Sequence, residues 1–272
     1  MKILFATGEA FPFIKTGGLG DVSYSLPKAL VQKEKLDVRV ILPKYSKISN
    51  ELLKDARHLG HKEIWVAHHN EYVGIEEVEL EGVIYYFVDN ERYFRRLNVY
   101  GEYDDCERFL FFSKAVVETM DITDFKPDII HCNDWQTALI PIYLKERGIY
   151  DVKTVFSIHN LRFQGFFYNN VIEDLLEIDR AKYFQDDGIK YYDMISFLKA
   201  NSNYHLKNIK TNKSKSIVIV GSKERSIMIK SAKRIHDELI NSELEILSGY
   251  YHGDLSINHP NEYAEKVKKL IK

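Results

Sequence analysis

Apolar residues along this chain cluster in short runs of strand length, separated by longer stretches in which they recur every three or four positions. The first run, Lys2–Thr7 (KILFAT), gives way to a glycine-rich loop and an amphipathic helix expected from near Asp21. Asp37–Leu42 (DVRVIL) reads as a second strand, stopped by Pro43. Residues 64–90 alternate in short pieces around Gly74 and Gly82, which predicts a meander of β-hairpins delivering a core strand at Val83–Val88. A helix is expected over Cys106–Met120, then strands at Asp128–Cys132 and Lys153–Ile158. Strands alternating with helices predict an α/β fold with a Rossmann-like parallel sheet.

In an open parallel sheet, ligands sit outside the carboxyl ends of the strands, where loops and helix N-termini converge. The residues that follow the apolar runs are Gly8-Glu9, then Lys15-Thr16-Gly17-Gly18, Asn133-Asp134-Trp135 and His159-Asn160. These loops are therefore expected to share one rim. From about Ala200 the chain turns polar and rich in Lys, Asn and Ser (NSNYHLKNIKTNKSKS), which reads as a linker. Beyond it a strand (Ile217–Val220), a helix (Ser226–Ile240), a strand (Leu244–Leu247) and a helix (Asn261–Leu270) form a β-α-β-α appendage. The organisation expected is a domain over residues 1–199, a linker over 200–215 and a C-terminal segment over 216–272.

Composition narrows the function classes. The 272 residues are 45% hydrophobic and 29% charged with a formal net charge of -2, which supplies no electrostatic reason to expect a nucleic acid or an anionic membrane as partner. No stretch approaches the ~20 apolar residues that cross a bilayer, and Gly8 and Glu9 interrupt the N-terminal run, so it does not read as a signal peptide. Cys106 and Cys132 are too few for a disulfide framework or a four-ligand metal site, and a cytoplasmic location is expected. Cys132 reads as a small core residue. His58/His61 and His68/His69 lack a nearby third ligand and read as exposed histidines. The 18 tyrosines and 15 phenylalanines suit sugar stacking, but a Tyr-rich core accounts for them better.

The chemistry concentrates first in Lys15-Thr16-Gly17-Gly18-Leu19-Gly20-Asp21-Val22, between the first strand and the first helix. Paired glycines let the backbone approach a ligand closely. A helix start behind them offers unpaired N–H groups and a partial positive charge. Lys15 adds a full positive charge suited to a diphosphate. The segment is neither a Walker A loop nor a dinucleotide fingerprint, since neither spacing is met. On these grounds alone it is either a phosphate-binding loop or a tight turn.

The same KTGGLGDV segment, following an MKILF-type strand, resembles the signature loop of bacterial glycogen synthases and plant starch synthases. The likeness continues, in order, through YDDCERFLFFSKAV (Tyr103–Val116), PDIIHCNDWQTALIP (Pro127–Pro141), VFSIHNLRFQG (Val155–Gly165) and FQDDGIKYYDMISFLK (Phe184–Lys199). The resemblance implies the N-terminal half of a GT-B glycosyltransferase, in which two Rossmann-like domains face a cleft. It implies retaining transfer of glucose from ADP-glucose to the non-reducing end of an α-1,4-glucan such as glycogen. It assigns Lys15, Gly17 and Gly18 to the nucleotide diphosphate and sugar, and Asp21 to the acceptor side of the donor glucose. Asp134, in His131-Cys132-Asn133-Asp134-Trp135, is assigned to the sugar pocket, and His159 to a place beside the transferred glucose. Glu9 is carried over more weakly, at the same rim. Neither metal nor organic cofactor is implied, because lysine can neutralise the leaving diphosphate. From the residues alone, Asp134 could instead cap the helix starting near Trp135, and His159 could be a buried histidine satisfied by backbone.

The likeness stops at Ala200. A family member would go on to a second Rossmann-like domain carrying the arginine and lysine that clamp the diphosphate and an essential glutamate. The chain alone is therefore expected to be inactive in transfer, with a complementing synthase domain as a possible partner and a non-catalytic glucan-binding module as the alternative reading. Residues from about 216 to 272 resemble the C-terminal end of an α/β-hydrolase, with His252 as the loop histidine and Glu224 near the usual acid. No Gly-x-Ser-x-Gly occurs, so the nucleophile elbow is missing.

Overall fold

A computed structural model of the chain describes residues 1–160, 165, 167, 175, 178 and 215–271, and it divides into two compact units, 1–178 and 179–272. The boundary expected at residue 199, and the linker up to residue 214, lie outside the described residues, as does the Phe184–Lys199 segment.

Unit 1 is built on a seven-stranded sheet in the order β3-β4-β5-β2-β1-β6-β7. These strands are β1 (Lys2–Ala6), β2 (Asp37–Pro43), β3 (Arg57–Val66), β4 (His69–Leu80), β5 (Val83–Asp89), β6 (Ile129–Asn133) and β7 (Lys153–Ser157). β5, β2, β1, β6 and β7 run parallel, while β3 and β4 form an antiparallel ribbon on the β5 edge. Ile3, Leu4, Phe5 and Ala6 are all within 1% of full burial, because a strand covered on both faces must be apolar throughout. Helix α1 (Gly18–Gln32) returns from β1 to β2. Helix α3 (Asp105–Ile122), preceded by the short α2 (Glu91–Phe94), carries the chain from β5 back to β6. With right-handed crossovers, these opposite directions of travel put α1 and α3 on opposite faces and make the gap between β1 and β6 a topological switch point. Short helix α4 (Ile140–Glu146) then leads to β7.

The hairpins fall where alternation places them, with differences that have local causes. β3 begins at Arg57, earlier than expected, because a bulge between His58 and Gly60 breaks the period-two pattern of its first half. The β3–β4 turn places Ala67 and His68 at φ 47° and 67°, and the β4–β5 turn places Glu81 and Gly82 at 52° and 81°. Both are two-residue turns of the kind that suits strand twist. Helix α1 starts three residues before Asp21, at Gly18, for a reason given below.

Arg108, at 0% exposure, is the largest wholly buried side chain of the described residues. Its Nε donates to the Tyr93 carbonyl at 2.8 Å and its Nη1 to the Asp105 carboxylate. Asp105 also accepts from the Gly101 N–H at 2.6 Å, so this pair ties the loop ahead of α3 to the core.

Unit 2 pairs β8 (Ser216–Gly221) with β9 (Ser242–Leu247) in parallel, linked by α5 (Ser226–Glu238) and followed by the four-residue α6 (Asp254–Ile257) and α7 (Pro260–Ile271). The β-α-β-α expectation is met, with α6 added. Val220, Ala232, Ala264 and Val267 are the buried apolar residues among those described in this unit. No helix among the described residues is long and apolar enough to cross a membrane.

Removing one partner of a buried ion pair strands the other charge. Asp105→Ala is therefore expected to cost about 3–5 kcal/mol in urea unfolding, whereas Glu51→Ala, at an exposed pair, should change stability by about 0–1 kcal/mol.

Candidate active site

Glu9 follows β1 and is only 2% exposed. Its carboxylate accepts from the Thr16 N–H and hydroxyl, both at 2.6 Å, and from the Gly17 and Gly20 N–H groups, both at 3.2 Å. The Gly17 and Gly20 N–H groups are donors that a helix start leaves unpaired, and a carboxylate there is favoured by the helix dipole. The clamp explains why α1 begins at Gly18. The Gly17 and Gly20 amides are thus engaged by Glu9 in this structure. Burial raises the Glu9 pKa, and these four hydrogen bonds act against that rise.

Lys15 and Asp21 project from the clamped loop and form an ion pair with Nζ–Oδ1 2.7 Å, both side chains partly exposed. Lys15 therefore shares its charge with Asp21. Tyr45 donates its hydroxyl to the Gly8 carbonyl at 2.9 Å. A Cβ on Gly8 would lie 2.7 Å from the Tyr100 hydroxyl and 3.3 Å from Gln136 Cγ, so only glycine admits both neighbours. The Tyr100 hydroxyl and Gln136 Oε1 are buried there without a partner among the described residues.

Across the switch point, Asp134 follows β6. Its backbone sits at φ 55°, ψ −177°, a region almost reserved for glycine. Its carboxylate makes no cap to the 3₁₀ turn Trp135–Thr137, which removes the helix-cap reading. Instead Oδ1 accepts from the His159 N–H at 2.7 Å and from the Asn160 N–H at 3.4 Å, pinning the loop after β7. Burial raises the pKa of Asp134, opposed by nearby His159 and by these two amides.

His159 is half-buried, and its Nε2 lies 2.9 Å from Asn133 Oδ1. Asn133 Nδ2 donates to the carbonyls of Ala6 at 3.0 Å and His131 at 3.1 Å, so its Oδ1 is the acceptor facing His159. The imidazole must then carry its proton on Nε2, leaving Nδ1 as an acceptor. For Nε2 the partner is a side chain and not the backbone. Burial lowers the His159 pKa despite Asp134, which keeps the ring neutral. His131, fully buried with Nε2 2.7 Å from Ser157 Oγ, is held down to about 3 by burial and then by His159.

Glu9, Gly17, Gly18, Lys15 and Asp21 thus sit at the end of β1, and Asp134 and His159 at the ends of β6 and β7, all on the carboxyl edge. Sequence reasoning undervalued Glu9 and passed over Asn133, Tyr100 and Gln136. Asn133 was findable as the polar residue at the carboxyl end of a buried strand. Cys132 is a core residue, its thiol pKa raised by burial. His58, His61 and His68 are exposed, but His69 departs from expectation: its Nε2 lies 2.9 Å from Glu71, in a network with Arg92. No cluster among the described residues could hold a metal ion. In unit 2, His252 Nδ1 and Glu224 Oε1 are 3.2 Å apart, and the neighbouring Ser222 Oγ accepts from the Gly249 N–H.

A family model described as the starch synthase catalytic domain matches residues 2–212. The glycogen synthase of Fusobacterium nucleatum subsp. nucleatum is 89% identical over 204 residues, covering 75% of this chain and 44% of that protein. That of Clostridium novyi is 50% identical over 210 residues, covering 75% and 43%. The chain thus spans under half the length of these relatives. A solved catalytic domain of starch synthase IV from Arabidopsis thaliana, bound to ADP and acarbose, matches with a TM-score of 0.64 at 21% identity, covering 98% of this chain and 71% of that one. This likeness shows a shared fold.

Two measurements check this geometry. Glycine relieves the Asp134 backbone while alanine retains the strain, so Asp134→Gly is expected to be about 1–3 kcal/mol more stable than Asp134→Ala in urea. His131 has a lowered folded pKa, so its contribution to stability is present above the unfolded value of 6.5 and fades as pH falls towards about 3. The stability difference between wild type and His131→Gln should therefore shrink or reverse as pH drops from about 7 to about 4; a constant difference would place the ring in a different charge state.

Proposed function

We propose that this chain, which belongs to the starch synthase catalytic-domain family, forms the sugar-contacting half of a retaining glucosyltransferase acting from ADP-glucose on an α-1,4-glucan end. The observation that carries this reading is Asp134. A strained, buried aspartate at a topological switch point holds the backbone N–H of a neutral histidine whose Nδ1 is an acceptor. Such strain persists only where the surroundings over-determine it, and it concentrates at functional sites. The curated relatives are named glycogen synthases, and the solved starch synthase IV domain carries ADP and acarbose, a nucleotide and a glucan-like sugar.

Positive charge builds on the sugar ring as the glucosyl bond to the diphosphate breaks, and negative charge builds on the leaving group. Asp134 contributes negative potential on the sugar side and fixes the His159 loop. His159 Nδ1 accepts a hydrogen bond from a sugar hydroxyl, while Asn133 holds the ring's other nitrogen. The orphaned Tyr100 hydroxyl and Gln136 Oε1 offer further hydrogen-bonding groups beside Gly8. On the other side of the bond, Lys15 supplies one cation whose charge Asp21 already shares, less than a leaving diphosphate needs. Full transfer therefore depends on cations from a complementing domain. The two free thiols suit a cytoplasmic setting.

The test mixes this chain with the remaining C-terminal portion of the Fusobacterium nucleatum relative, radiolabelled ADP-glucose and glycogen, and counts label in precipitated polymer. Incorporation is expected from the mixture, at background from this chain alone, and about 10²–10³-fold lower with Asp134→Ala. Equal incorporation with and without the Asp134 carboxylate would overturn the reading.

A further inference from the structure

The backbone ladder between β6 and β7 ends at the pair Asn133–Ser157. His159 lies two residues beyond it, so strand pairing does not set the place of its ring. Asp134 holds its N–H, and Asn133 Oδ1 lies 2.9 Å from its Nε2. Two residues back along both chains stands a second contact of the same kind, His131 Nε2 to Ser157 Oγ at 2.7 Å. Side chains two apart in a strand share a face, so His131 and Asn133 stand side by side on β6. Ser157 precedes His159 by the same interval. Two side-chain rungs, His131–Ser157 and Asn133–His159, therefore bridge the ends of the two strands. Asn133 Nδ2 links them by donating to the His131 carbonyl at 3.1 Å.

Ser157 is gripped twice, by His131 at its hydroxyl and by the Asp134 N–H, which donates to its carbonyl at 2.9 Å. The first grip is not needed for packing. Ile129, Ile130 and Cys132 around His131 are buried and apolar, and an apolar pair at 131 and 157 would fill the space without desolvating an imidazole. His131 is 1% exposed, and its Nδ1 has no partner among the described residues. A buried N–H without an acceptor is rarer than a bare acceptor, so the ring proton belongs on Nε2 and is donated to Ser157 Oγ. A directional bond kept at that cost allows one alignment of the strand ends, where apolar contact would allow several.

We propose that His131 and Ser157 are positioning residues for His159. They hold the end of β7 so that Asn133 Oδ1 stays within reach of Nε2 and Nδ1 is left as the acceptor. Neither touches the sugar. The part of this inference that concerns transfer rests on the glucosyltransferase reading above; the part that concerns the His159 tautomer does not.

The test reads both parts in the full chain. Proton–nitrogen correlation spectra of the histidine rings at neutral pH are expected to show His159 protonated on Nε2 alone in wild type. Ser157→Ala should turn that signal into a mixture of tautomers, and Ser157→Thr, which keeps the hydroxyl, should restore it. His131→Phe breaks the same rung from β6 with a ring of similar size and should act as Ser157→Ala does. Thr154→Ala, at an exposed position of β7, should change nothing. In the complemented transfer assay, kcat should fall about tenfold in Ser157→Ala with KM for ADP-glucose unchanged, and recover in Ser157→Thr. An unaltered His159 tautomer in both rung-breaking variants overturns the proposal, and so does a loss that Ser157→Thr fails to restore. Absence of transfer from the wild-type mixture would instead overturn the glucosyltransferase reading, and the ring spectra would still decide the rung.

Discussion

A carboxylate taken out of water must be surrounded by donors, and two such carboxylates organise this molecule's working edge. Glu9 gathers the amides of Thr16, Gly17 and Gly20 and so decides where the first helix starts and how the glycine-rich loop lies. Asp134 gathers the amides of His159 and Asn160 and so joins the ends of β6 and β7. The sheet order makes this possible, because crossovers leaving β1 and β6 in opposite directions open a crevice between them.

The clamps give the pocket a division of labour. On the β6–β7 side the groups are buried, strained and neutral or negative: Asp134, neutral His159, and Asn133 behind it. On the β1 side Lys15 and Asp21 are partly exposed and paired to each other. A reaction that builds positive charge on a sugar and negative charge on a phosphate needs such an asymmetry.

Much of this was legible in the residues. Apolar runs marked β1, β2, β5 and β6 because both faces of those strands are covered, β7 showed as a short apolar run although none of its residues is buried, and the residues just after these strands did gather on one edge. The meander at 64–90 was visible from alternation around Gly74 and Gly82. What stayed hidden depends on side-chain direction. Nothing in the order of residues says that Glu9 points back at Thr16 instead of outward, or that Asp134 turns away from its own helical turn towards another strand's loop. The start of β3 was hidden by its bulge.

The central claim is that Asp134 and Asn133 present a neutral His159 to a sugar. Long-range proton–nitrogen NMR of the imidazole reads this directly. The account predicts a neutral ring protonated on Nε2 at neutral pH, with the Nδ1 resonance shifting when ADP-glucose and a maltooligosaccharide are added together. A charged ring, the opposite tautomer, or an Nδ1 signal indifferent to both sugars would contradict it.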